Sequence, residues 1–134
     1  MGTLRLEVVT PDKTVVGADV EMAVCPGAEG EFGVLANHIS LLSALKVGAL
    51  RYRASGGKDE YVFISGGFAD MNNNVLTVLA ESAELAGNID AARAQSARER
   101  AEKRLAAGDD AVDVARAESA LQRAIMRLSI AVRH

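Results

Sequence analysis

The chain changes its alphabet near residue 86, and that break decides what it can fold into. All five aromatics (Phe32, Tyr52, Tyr61, Phe63, Phe68) and ten of the twelve glycines precede residue 87, whereas the last 48 residues hold 13 alanines. Aromatics suit the pleated, half-buried surface of a sheet, and alanine is the strongest helix former. Charge divides at the same place: residues 1–86 carry 6 Lys/Arg against 11 Asp/Glu, and residues 87–134 carry 9 against 7. Those balances, −5 and +2, sum to the net −3 of the whole chain. The break predicts a β domain over residues 1–86 and a helical domain over residues 87–134.

Within the first part, Leu4-Arg5-Leu6-Glu7-Val8 and Val20-Glu21-Met22-Ala23-Val24 alternate apolar and polar residues, as half-buried strands do. Gly48–Arg53 and Glu60–Ile64 flank Ser55-Gly56-Gly57-Lys58-Asp59, which reads as a hairpin turn. Val75–Leu79 follows Asn72-Asn73-Asn74, and asparagine tolerates the left-handed backbone of a tight hairpin. Short strands with turn signals at this spacing predict an all-β sandwich or flattened barrel. The segment from Pro26 to His38 breaks the rhythm: Gly27, Gly30 and Gly33 predict a tightly bent loop. It lacks the Lys-Ser/Thr ending and the following helix of a phosphate-binding loop. Ser65-Gly66-Gly67-Phe68 reads as a bulge or corner in the sheet.

The second part predicts an antiparallel α-helical hairpin. Asn88 and Asp90 are N-cap candidates, Asp90 leading directly into a first helix that runs to Leu105 or Ala107 and stops at Gly108. Asp109 or Asp110 caps a second helix, with Asp113 in its first turn. Val114, Ala117, Leu121, Ala124, Leu128 and Ala131 form a seam at alternating spacings of three and four, facing Ala94, Ala97, Ala101 and Leu105. Alanines let helices approach closely but bury little apolar area, so the hairpin leans on the sandwich, a ligand or another subunit.

Composition excludes several classes. Apolar content of 49% and charged content of 25% describe a folded chain. No apolar run reaches the roughly 18 residues that a membrane helix needs, and the N-terminus has no secretory pattern. A single cysteine, Cys25, permits no internal disulfide, fits a reducing compartment and reads as a small buried hydrophobe. The net −3 argues against a general nucleic-acid binder. There are two histidines, His38 and His134, and no metal-binding or nucleophile motif. A triad would have to join His38 to Ser40 or Ser43, and nothing activates them. His38 is expected on a loop at the sandwich rim.

Arginine remains. Arg93, Arg100 and Arg104 recur at spacings of seven and four on the first helix, as do Arg116, Arg123 and Arg127 on the second, so each helix carries an arginine stripe. Converging guanidinium groups could hold polyanionic phosphate. Equally, the stripes could be solvated faces partnered by Glu99, Glu102 and Glu118.

Three stretches, in this order and spacing, resemble the epsilon subunit of F-type ATP synthases: Pro26-Gly27-Ala28-Glu29-Gly30-Glu31-Phe32-Gly33-Val34-Leu35, His38-Ile39-Ser40-Leu41-Leu42 with Gly48, and Ser65-Gly66-Gly67-Phe68 with Val75–Ala80. The resemblance covers essentially the whole chain, although family members usually carry proline where this chain has Ser40. It implies a sandwich of about ten strands that docks on the gamma subunit and the membrane c-ring. It further implies a peripheral place on the cytoplasmic face of the bacterial plasma membrane, without insertion into the bilayer. Glu29, Gly30, Glu31, His38, Ser40, Leu41 and Leu42 are the implied contact residues. The hairpin resembles the family's regulatory element, which lies against the sandwich or extends into the alpha/beta catalytic head and blocks ATP hydrolysis. From Asp90 to Arg133 the extended helices would reach roughly 66 Å. Ile89-Asp90-Ala91-Ala92-Arg93-Ala94 resembles the motif of a regulatory ATP site in some bacterial members. That match implies Glu84, Ile89 and Asp90 near adenine, with Arg93, Arg100, Arg123 and Arg127 toward the phosphates. ATP there would select a conformation rather than be consumed, so no catalytic residue, metal or catalytic cofactor is expected. A stand-alone ATP-sensing module built on the same arginines is the alternative.

Overall fold

The computed structural model describes residues 2–108 and 111–133. Seven strands come first: β1 (Leu4–Val9), β2 (Thr14–Gly27), β3 (Gly30–Leu35), β4 (Leu41–Ala54), β5 (Asp59–Asn72), β6 (Val75–Ala80) and β7 (Ala83–Leu85). A 3-10 turn (Ala86–Asn88) leads into helices α1 (Ala91–Ala107) and α2 (Ala111–Ala131). This is the expected sandwich followed by a helical hairpin.

The strands lie in the order β1–β6–β5–β4–β2–β3, β7 pairs β5, and β1 also pairs β2, so the sheet closes on itself. The β1–β6 ladder is parallel and the other pairings are antiparallel. Leu4, Leu6 and Val8 alternate inward from β1 and meet Val20, Leu50, Ile64, Met71 and Leu76 in one buried core. Cys25 belongs to this core, and burial pushes its thiol up to about 12.

Two expectations change. The described residues form seven strands, not about ten, because β2, β4 and β5 are each 14 residues long and bend instead of breaking. Register shifts in the β2–β4 ladder mark one bend. At the other, Gly66 (φ 109°) and Gly67 (φ 136°) turn β5 through the expected corner. Before that corner β5 pairs β7, and after it β5 pairs β6. Second, Pro26 to Leu35 is not a loop but a hairpin: Cys25 faces Phe32 and Gly27 faces Gly30 across the β2–β3 ladder. Only Gly30 among its glycines is left-handed, and Gly27 must be small because a Cβ there would collide with the Gly30 carbonyl oxygen and the Phe32 ring. The other turns follow expectation. Asn73 and Asn74 are left-handed between β5 and β6, and Gly57 N–H donates to the Ala54 carbonyl between β4 and β5.

The helices meet through their alanines. Ala94 and Ala101 of α1 and Ala117 and Ala124 of α2 are buried, while Ala97, Leu105, Val114, Leu121 and Leu128 are half-buried. Asp90 Oδ1 accepts from Arg93 N–H at 3.0 Å, and Gly108 ends α1 in the left-handed conformation, as its sequence position requires. Asp113 stands in the first turn of α2. The expected cap at Asp109 or Asp110 lies outside the described residues.

It is α2, the second helix, that lies on the sandwich, against β4, β5 and the 3-10 turn; α1 rests along α2. The joint is a second core of Phe63, Ala86 and Ile130, flanked by Val47, Ala49, Tyr61, Ile89 and Met126. Val62 and Ile64 point into the sandwich and Phe63 points out to α2, so β5 is buried on both faces here.

Candidate functional site

Above that joint, α1 and α2 and the end of β7 enclose a cavity of about 560 Å³. Its walls include Glu84 from β7, Asp90 from the cap of α1, Arg93 and Arg100 from α1, and Arg127 from α2. The α1 spacing of seven aims Arg93 and Arg100 into one face, and Ala94 and Ala97 between them leave the space open. Three guanidinium groups thus face two carboxylates. Arg127 is the one engaged: its Nε donates to Glu84 Oε1 at 2.7 Å, and its guanidinium carbon stands 4.3 Å from the centre of the Phe63 ring. Arg93 and Arg100 are exposed and form no ion pair among the described residues.

Five of the seven residues expected around a nucleotide therefore converge, and two do not. Ile89 is turned into the second core beside Phe63 and Ile130. Arg123, one turn before Arg127, is not among the cavity walls and donates to Ser119 Oγ at 2.8 Å within α2. Arg104 and Arg116 also lie outside the cavity walls. The solvated reading of the stripes describes those outer positions, but Glu102, one of the expected acidic partners, pairs with Arg98 at 3.6 Å, an arginine outside either stripe. Sequence spacing did not reveal Ser96 and Ala92, which complete the wall, nor the bond between Glu84 and Arg127 across 43 residues.

A second surface lies on the sandwich. Glu29, Gly30 and Glu31 are exposed at the tip of the β2–β3 hairpin. His38 is half-buried between β3 and β4, where its Nδ1 bonds to the Ile39 carbonyl at 2.7 Å, an arrangement that requires Nδ1 to carry the proton. Ser43 Oγ donates to the Ala44 carbonyl. Neither serine is joined to His38 among the described residues, so no nucleophile pair forms there. Ser40 and Leu42 are exposed, and Leu41 is half-buried, packed in part against the sandwich core. Unforeseen exposed apolar side chains enlarge the surface: Ile39 (80% exposed), Phe68 (56%) and Leu79 (52%) join Leu42 (75%). Phe68 stands opposite Leu79 on β6 and Ala44 on β4, which puts Leu42, Phe68 and Leu79 on one outer face. The outward leucine at the end of Val75–Leu79 was the readable signal. Apolar area of this kind on a sheet face marks a docking surface.

Among the described residues no helix is long and apolar enough to cross a membrane, and no cluster of side chains suits a metal ion.

Comparison with known proteins accounts for both units. Residues 3–86 match the family model of the ATP synthase delta/epsilon chain β-sandwich domain. Residues 88–131 match that of its long α-helix domain. An ATP synthase epsilon chain of Syntrophobacter fumaroxidans is 52% identical over 128 residues, covering 96% of this chain and 95% of the relative. One from Nitratidesulfovibrio vulgaris is 57% identical over 104 residues, covering 78% of this chain and 77% of the relative. A chain of the Euglena gracilis mitochondrial ATP synthase, solved as OSCP/F1/c-ring, superposes with a TM-score of 0.80 at 29% identity, covering 100% of this chain and 83% of that one. A chain from the central stalk and c-ring of the Tetrahymena thermophila enzyme shares the fold at a TM-score of 0.67 and 15% identity, over 95% of each chain. Two matched domains in the right order, spanning nearly every residue, place the chain in the ATP synthase delta/epsilon chain family.

Proposed function

We propose that the chain works in the central stalk of a rotary ATP synthase, linking the gamma subunit to the c-ring and restraining ATP hydrolysis through its helical hairpin. The observation that carries this reading is the unequal seating of the two helices. The hairpin holds itself together through alanines, which bury little area, and touches the sandwich mainly through α2. Such an element can leave its seat without disturbing the sandwich core. Once released, its arginines could meet acidic surfaces of the alpha/beta head. The exposed face of Leu42, Phe68 and Leu79 has the apolar character of a gamma-subunit contact, and the Glu29–Glu31 tip and the segment from His38 to Ser40 suit the c-ring side. On this reading the chain is peripheral to the membrane, on the cytoplasmic face in a bacterium. In a reconstituted complex, deletion of residues 88–134 is expected to leave assembly and coupling intact and to raise ATP hydrolysis severalfold. Unchanged hydrolysis would sink the inhibitory role.

The cavity extends the reading to ATP as a regulatory ligand. Its volume of about 560 Å³ falls within the usual range for small-molecule sites. Arg93, Arg100 and Arg127 supply charge-assisted donors for phosphate oxygens, with Glu84 and Asp90 positioned to accept from an amino group. Bound ATP would bridge α1, α2 and β7 and so favour the seated hairpin. Calorimetry of the full chain is expected to show heat of ATP binding, weakened about 10-fold to 100-fold by Arg93→Ala, the loss of one charge-assisted bond. No heat at millimolar ATP would remove the nucleotide site.

A further inference from the structure

Arg127, a prospective phosphate ligand, is already bound. Its Nε donates to Glu84 at 2.7 Å, its guanidinium covers Phe63, and its side chain is only 26% exposed. Glu84 lies on β7 and Phe63 on β5, so one side chain of α2 grips two strands of the sandwich. Three residues further along, Ile130 fills the second core, and three beyond that Arg133 stands 5.2 Å from the centre of the Tyr61 ring. Tyr61 and Phe63 project from the same face of β5. Two arginines thus bracket one buried isoleucine, Arg127 and Ile130 in the last turns of α2 and Arg133 just beyond its end.

We propose that Arg127 and Glu84 form a built-in latch: Glu84 offers Arg127 a carboxylate in the absence of any ligand, and this pair, stacked on Phe63, keeps the hairpin seated on the sandwich. The seated state is therefore the resting state of the nucleotide-free chain. A phosphate group reaching Arg127 meets an arginine already paired, and must share the guanidinium with Glu84 or displace it. A carboxylate and a guanidinium at this distance, half out of water and over an aromatic face, hold more strongly than an exposed ion pair does. This inference rests on the hairpin being the movable element, but it needs no nucleotide.

Spin labels at Lys58→Cys, in the exposed β4–β5 turn, and at Glu118→Cys, on the exposed side of α2, report the seating in the full-length chain. Cys25 is fully buried and does not compete for label. Without nucleotide, pulsed dipolar spectroscopy is expected to give one narrow distance. Arg127→Gln is expected to raise the population outside that peak about tenfold, the factor a charge-assisted bond of ordinary strength supplies. Glu84→Gln acts in the same direction, and adding it to Arg127→Gln changes nothing more, because the two residues act as one unit. Arg127→Lys, which keeps the charge, restores most of the seating. A sandwich with native circular dichroism in every variant separates release from unfolding. An unchanged distance in Arg127→Gln, simply additive effects, or an Arg127→Lys that opens as far as Arg127→Gln would overturn the latch. Since no ATP and no partner subunit is present, a failed nucleotide site or a failed inhibitory role leaves this result standing.

Discussion

Gly67→Ala is expected to cost the sandwich more than about 4 kcal/mol, enough to leave most of the chain unfolded under mild denaturant. Gly67 has φ 136°, a conformation that side chains rarely adopt. Its Cβ would also overlap the Leu79 carbonyl oxygen and approach the Ala80 Cα to 3.0 Å, both main-chain atoms of β6. Backbone in a ladder cannot swing aside as a flexible side chain can. The corner at Gly66–Gly67 is where β5 changes partners, so relieving the clash means parting β5 from β6. Gly56→Ala is the control: φ is 71°, nothing lies within 4 Å of its Cβ, and the expected cost is about 1 kcal/mol. Urea denaturation followed by circular dichroism compares the two. Equal midpoints would mean that the corner relaxes around a methyl group.

The second large effect is expected from Phe63→Ala, at about 3–5 kcal/mol. Phe63 is fully buried, yet it lies outside the main core, between β5 and α2. Removing the ring empties the centre of the joint and takes away the face over which Arg127 stands. The loss should therefore fall first on the seating of the hairpin: amides of α1 and α2 should exchange faster by a larger factor than those of β1 and β6. Phe68→Ala, which removes an exposed ring from the same strand, should shift stability by only about 0.5 kcal/mol. If Phe63→Ala accelerated exchange uniformly through sheet and helices, the joint would not be a separable unit.

The two halves of the molecule were legible for different reasons. The ends of α1 were readable to within a residue or two because Asp90 and Gly108 act locally, one through a side-chain bond to Arg93 N–H and one through a left-handed backbone. Strand number was not, because a bend and a break look alike in sequence: Gly66-Gly67 turns β5 without ending it. The Pro26–Leu35 segment misled because glycine serves there as a small residue under the Phe32 ring more than as a flexible one. The cavity was legible in part. Arg93 and Arg100 share a helical face by periodicity alone, whereas Arg127 and Glu84 meet only once α2 lies across β5 and β7, which no local pattern encodes. The same holds for Ile89, which meets Phe63 and Ile130 only once α2 is seated on the sandwich. One unused signal existed. Tyr61-Val62-Phe63-Ile64 is a continuous apolar run where alternation would be expected, and a strand without alternation is covered on both faces.

The parallel pairing of β1 with β6 bears on how the chain is made. Strand β1 cannot complete its ladder until residues 75–79 have followed it from the ribosome, because Arg5 pairs with Val75 and Val9 with Leu79. Closure of the barrel is thus delayed nearly to the end of the first domain, and it is the slow, long-range step. The helices that follow need only each other and a finished surface. During synthesis the hairpin emerges after the strands, onto a sandwich that is newly closed, so its seat is ready before it arrives.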